Sequence, residues 1–177
     1  MQERVSCPGW LRGSRFRDVE RTGRYLLLYE AESIAAFDSA AYYERLRNPT
    51  PLSQAIFPRF RNTWRTVCSV EGRRGHGLFP ALAALRIPQG SHSPDDGVLL
   101  GDAARVDRLV GRREIGQAAT TEKQLRGQAD RQIDRAVLAF FWSVDRARIV
   151  RDRQLPDGEL LALRHSVARC DLDLAGG

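Results

Sequence analysis

Lysine is nearly absent from this chain: Lys123 stands alone among 28 basic residues, and all the others are arginine. With alanine also abundant, that bias points to a GC-rich coding sequence rather than to a dedicated phosphate-binding surface. The arginines run from Arg4 to Arg169 among acidic residues such as Glu20, Asp130 and Asp145, with no long block of one sign. A formal charge of +6 therefore reads as a mixed, solvated surface, and nucleic-acid binding is only a minor alternative. Cysteine is scarce as well. Cys7, Cys68 and Cys170 form no CxxC pair and have no histidine at ligand spacing, which argues against a disulfide framework and against a zinc or other metal site. No apolar run approaches the roughly 18 residues of a membrane span. The opening MQERVSCPGW is charged from its third residue and lacks an apolar signal core, so the expected compartment is the cytoplasm. Neither GxxxxGK[ST] nor a GxGxxG after a strand is present, so no nucleotide cofactor, and no cofactor of any kind, is expected.

What is present is enough for a packed domain: 42% hydrophobic, 8% aromatic and 28% charged residues in 177. That length allows one domain or two small ones, which would share a core or pair with a second copy. Trp10 to Val19 alternates weakly and, after the turn-like Glu20 to Gly23, meets RYLLLYE, giving a hairpin. The second strand is apolar on both faces, as for a strand covered on both sides. Ser33 is placed to cap a helix carrying Ile34, Phe37 and Ala41 and ending before Asn48-Pro49. A turn and a short helical piece follow in NPTPLSQAIFPRF. RNTWRTVCSVE then reads as a strand with Trp64, Thr66, Cys68 and Val70 on one face.

The glycine-containing EGRRGHG, Glu71 to Gly77, reads as a linker between halves. Beyond it LFPALAALRI suggests a strand, and Asp95 to Val110 a helical segment burying Leu100, Ala103, Ala104 and Val110. Arg113 to Thr120 suggests a strand, and Thr120 to Gln132 a polar connection. Arg135 to Val144 is the most apolar strand, Val144 to Leu155 a short helix, and Glu159 to Leu172 a closing strand. The second half is then βαββαβ, and the first half matches it without an opening strand and most of a first helix. The expected fold class is α+β: tandem ferredoxin-like repeats forming an antiparallel α+β barrel, the first repeat incomplete. The expected divisions are 1–71, a linker at 72–77, and 78–177. In such a sheet the first strand is central. Either sequence lies upstream of Met1, or another segment fills that place.

Pro8 to Ser33, the NPTP at Asn48 to Pro51, and FRNTWRTVCSV at Phe60 to Val70 resemble an uncharacterised bacterial group of the dimeric α+β barrel superfamily, akin to EthD-like proteins. Thr121 to Trp142 is similar to the second repeat of that group, so the resemblance covers most of the chain and is faint over 78–118. It implies a tandem barrel with a ligand cavity between sheet and helices. Similar folds serve metal-independent monooxygenases, cyclases and isomerases of aromatic or polyketide compounds, haem-handling proteins, and members with no established reaction; the fold alone does not choose among them. In these relatives a helix with a Trp or Tyr, His and Glu-His pattern ends in a segment similar to MQERV. That pattern has no counterpart here, so none of its residues is carried over.

Candidate chemistry is sparse, and whether the chain is an enzyme stays open. His165 in LLALRHSVARC shares a face with Leu161, Leu163 and Val167, which makes it a candidate catalytic base or a satisfied core histidine. His76 and His92 sit in polar loops and read as solvated. Tyr25 and Tyr29 point to one side of their strand, and with Trp64 on a neighbouring strand they are candidates to line an aromatic ligand pocket, ordinary core being the alternative. Arg15, flanked by Arg12 and Arg17, is a candidate for bidentate binding of a carboxylate or enolate. The expected function is binding or transformation of a small apolar or aromatic metabolite by a homodimer or an intrachain barrel. A non-catalytic structural member of the same fold is the alternative.

Overall fold

The computed structural model describes residues 1–88, 102–112 and 131–175. Its strands are β1 (Trp10–Asp18), β2 (Tyr25–Ala31), β3 (Val67–Arg74), β4 (Ala81–Ile87), β5 (Arg105–Arg112), β6 (Arg135–Phe141) and β7 (Glu159–Ala168). The helices are α1 (Gln2–Val5), α2 (Ala40–Arg47), α3 (Pro51–Ile56), α4 (Val144–Gln154) and α5 (Arg169–Ala175). All seven strands form one antiparallel sheet in the order β2-β1-β7-β4-β6-β5-β3, so the chain is α+β.

Strand alternation sorts the apolar residues onto two faces. On one, Ala81, Ala83, Val106, Val137, Ala139, Phe141 and Leu160 pack beneath Ala147 and Val150 of α4. Further along that side Trp10 packs against Tyr42 and Leu46 of α2. The opposite face gathers Phe16, Leu82, Leu138, Phe140 and Leu161, with Leu26, Leu28, Leu109 and Leu163 against them, and none of the helices named above contributes to it among the described residues. This second face is concave. The sheet curls so far that Glu30 of β2, at one margin, reaches Arg73 of β3 at the other, 3.8 Å away. The result is a half-barrel whose inner face is lined by these side chains.

Ser39, not Ser33, caps the helix after β2: the Tyr42 amide donates to the Ser39 hydroxyl at 3.3 Å, while Ile34–Asp38 forms a separate 3₁₀ turn. The cap supplies an acceptor to an otherwise orphaned first-turn amide. In α4, Ser143 serves Arg146 in the same way. Arg151 fixes α4 to the β1–β2 turn by a forked pair of bonds to Glu20, at 2.9 and 2.6 Å.

Three sequence expectations need correction. β2 is a margin of the sheet rather than a strand covered on both sides, and Tyr25 and Leu27 are 57% and 43% exposed. The segment expected to be helical up to Val110 contains β5. Arg105, Asp107 and Leu109 alternate there with Val106, Arg108 and Val110, a period of two that the helical reading overrode. Glu71 to Arg74, expected at or within the linker, extend β3 along β5, and the connection begins at Gly75, whose φ of +77 suits glycine. The strand expected over Arg113 to Thr120, the polar connection after it as far as residue 130, and His92 lie outside the described residues.

Candidate functional site

The concave face is the part of the molecule where chemistry and shape coincide. Strand alternation directs Leu26, Leu28 and Glu30 of β2 inward, along with Phe16 of β1, Leu161 and Leu163 of β7, and Arg105, Asp107 and Leu109 of β5. At one end lies a buried ionic cluster. Asp107, 2% exposed, accepts two hydrogen bonds from Arg73, at 2.7 and 3.0 Å, and two from the Nε of Arg105 at 3.1 Å. Arg105, 3% exposed, also donates to Glu30 and, at 2.9 Å, to the carbonyl of Gly77; its guanidinium lies 4.7 Å from the centre of the Phe140 ring. Each buried charge has a counter-charge and directed donors or acceptors, the condition under which such burial is tolerated.

The electrostatics follow from that arrangement. Burial alone would push the Asp107 carboxyl up, but the bonds and charges of Arg105 and Arg73 outweigh it and hold its pKa below the ordinary carboxylate value. Burial would likewise lower the pKa of Arg105, and its bonds to Asp107 and Glu30 reverse that. Cys68, on the inward side of β3, is pushed up to about 11 by burial, so it stays a neutral thiol at physiological pH.

The other end of the concave face is polar and more open. Arg86 of β4 donates to Glu159 of β7 at 2.8 Å, and Arg24 stands 3.7 Å from the same carboxylate. Trp64, ahead of β3, has the guanidinium of Arg86 at 4.7 Å and that of Arg131 at 5.3 Å from its ring centre. Between the two ends, along the space separating β2 from β3, Val70 is 48% exposed and Leu26, Leu28 and Leu109 are half-buried.

The residues singled out from sequence lie elsewhere, apart from Trp64. His165 is exposed rather than pressed into an apolar layer. A bulge where β7 meets Arg15 and Phe16 adds a residue, so Leu163 faces Phe16 inside while His165 stands opposite Arg15 on the outer face. Arg15 is exposed on that outer face beside Leu27. Tyr25 and Tyr29 do share a side, but it is the outer one: Tyr29 packs edge-on against Trp10 at 5.7 Å, beneath the guanidinium of Arg4, and Tyr25 is solvent-exposed. Trp64 lies at the opposite margin of the sheet, so the structure does not assemble the three rings into one pocket. His76 lies in the turn between β3 and β4. What sequence reasoning missed is the cluster of Glu30, Arg73, Arg105 and Asp107. Its signal was the strand-like spacing of Arg105 and Asp107 inside an apolar stretch.

Among the described residues no helix is long and apolar enough to cross a membrane, and no group of three His, Cys, Asp or Glu side chains is placed to hold a metal ion. The chain matches no family model, no curated protein and no solved structure.

Proposed function

We propose that this chain is a tandem ferredoxin-like barrel protein, of the kind its EthD-like resemblance implies, that binds a small, largely apolar or aromatic molecule against the concave face of its sheet. The observation that carries this is the apolar inner face reaching the surface between β2 and β3, where Val70 is 48% exposed and Leu26, Leu28 and Leu109 are only half-buried. Apolar concave surface with few polar groups at its ends is the usual make-up of a small-molecule site. The repeat reading is supported by strand order. Counted in chain order, β4 to β7 lie as fourth, first, third, second, the ferredoxin-like arrangement, and β1, β2 and β3 take the second, third and fourth positions of the other half.

One observation favours binding without catalysis. Among the described residues, the buried pair of the inner face, Arg105 and Asp107, is mutually neutralised with neither member poised to exchange a proton near neutral pH, and the buried Asp18 carboxylate is engaged by the amides of Glu20 and Arg21. The test is thermal denaturation of the folded chain with aromatic compounds, polyketide-like compounds and haem. A ligand raises Tm, and Val70→Glu removes that rise while leaving the Tm of the free protein in place. Absence of any shift across the panel defeats the ligand reading; turnover of a bound compound defeats the non-catalytic one.

A further inference from the structure

We infer that the space between β2 and β3 is an acceptor for one extended peptide strand, which pairs with both margins of the sheet and closes the half-barrel. The first argument is parity. Six successive antiparallel pairings lead from β2 to β3, so those two strands run in the same direction. They cannot meet antiparallel. A single additional strand running opposite to both gives eight strands and an all-antiparallel closure, which removes both margins at once.

The second argument comes from the other half of the sheet and rests on the repeat reading above. There β4 lies between β7 and β6 and is antiparallel to both. The equivalent position in the first half is the space between β3 and β2, and no described strand occupies it. The third argument is the character of the margins. A free margin is ordinarily protected by lysine, proline, a charge or shortness. In β2, YLLLYEA, the one charge is Glu30 near its end, and in β3, VCSVEGRR, the charges and a bulge lie beyond Val70, so that protection is confined to one end and Val70 is left half exposed on the inward side. The margins are also held close, since Glu30 spans them to Arg73 at 3.8 Å.

These features define the occupant. It must be free along both of its own sides, which excludes the described strands of a second copy, each already paired within its own sheet. It is about seven residues long, matching β2 and β3. Alternate side chains are apolar, to meet Leu28 and Val70 inside. The partner is therefore an unpaired extended peptide segment, not a folded domain and not a second copy of this sheet.

The test uses the full chain and a labelled synthetic peptide of Phe79–Pro88, the sequence of the strand that fills the corresponding place in the second half, carried on a solubilising tail. Fluorescence anisotropy is expected to show saturable binding, absent for a scrambled peptide. Hydrogen exchange is expected to slow by about tenfold or more at amides of β2 and β3. Val70→Lys, an inward charge at a half-exposed position, is expected to weaken binding without loss of the fold, verified by unchanged Tm. Equal binding of the scrambled peptide, protection at β6 and β7 instead of β2 and β3, or no binding overturns the proposal. Protection of both margins that rises with protein concentration alone overturns it in favour of a second copy. The ligand reading fails or stands separately, on the thermal shifts of the chain without peptide.

Discussion

Asp107 concentrates the polar energetics of the inner face, because its neutralisation leaves two guanidiniums to share the single carboxylate of Glu30. Asp107→Asn is expected to cost about 3–5 kcal/mol in urea unfolding, the range for breaking one side of a buried ion pair. The pH dependence has a definite sign. Its folded pKa lies below the unfolded value, so its stabilisation is complete above roughly pH 4 and is lost as pH falls through the folded pKa. Acid titration of stability is expected to show this loss in the parent and not in Asp107→Asn. His165 gives the opposite expectation. It is exposed at the bulge of β7, so His165→Ala is expected to move stability by no more than about 0.5 kcal/mol, measured by the same denaturation. A larger loss would show that the imidazole is held by the fold after all. Neither outcome was legible in the sequence: the bulge that turns His165 outward leaves the alternation of LLALRHSV unaltered until pairing with β1 is known.

Strands were easier to read than faces. β1, β2 and α4 stand within a residue or two of where alternation, turn residues and apolar runs put them, and β6 begins where expected and ends three residues earlier, because each is a local signal. β5 was missed because Ala103 and Ala104 lengthened an apparent helical stripe, whereas the Arg105–Asp107 spacing acquires meaning only when Arg73 and Glu30, distant in sequence, close the cluster. The two apolar faces of β2 were read as two covers; curling supplies one, and the other is left partly to solvent. Gly111 shows how tightly β5 is held at its far end. Its amide donates to the carbonyl of Asp134 at 2.7 Å, and a Cβ there would come within 2.0 Å of the Ile133 carbonyl oxygen. Gly111→Ala must displace the segment leading into β6, and is expected to destabilise by about 1–3 kcal/mol, with hydrogen exchange rising first in β3 and β5.

At the scale of the whole molecule, the odd number of antiparallel strands among the described residues leaves a curled sheet whose two marginal strands run in the same direction. One of them carries apolar residues on its outer side too: Tyr25 and Leu27 of β2 are 57% and 43% exposed, opposite Arg17 and Arg15 of β1. Burial of such a surface against another chain is favourable by about 25 cal/mol per Å², and the side of β2 that no described strand pairs offers a template for the contact. Self-association of the free protein is therefore expected to proceed through β2. A charge at Leu27 should oppose it without disturbing the inner face, because Leu27 alternates with Leu26 and Leu28, which point inward. Leu27→Lys is expected to leave Tm within the error of measurement and to slow aggregation on storage, followed by light scattering at several protein concentrations. If the variant aggregates at the parent's rate, the liability lies on another surface. If aggregation slows while the Phe79–Pro88 peptide still binds, the outer side of β2 and the space beside it act separately: one drives unwanted association, the other receives a strand.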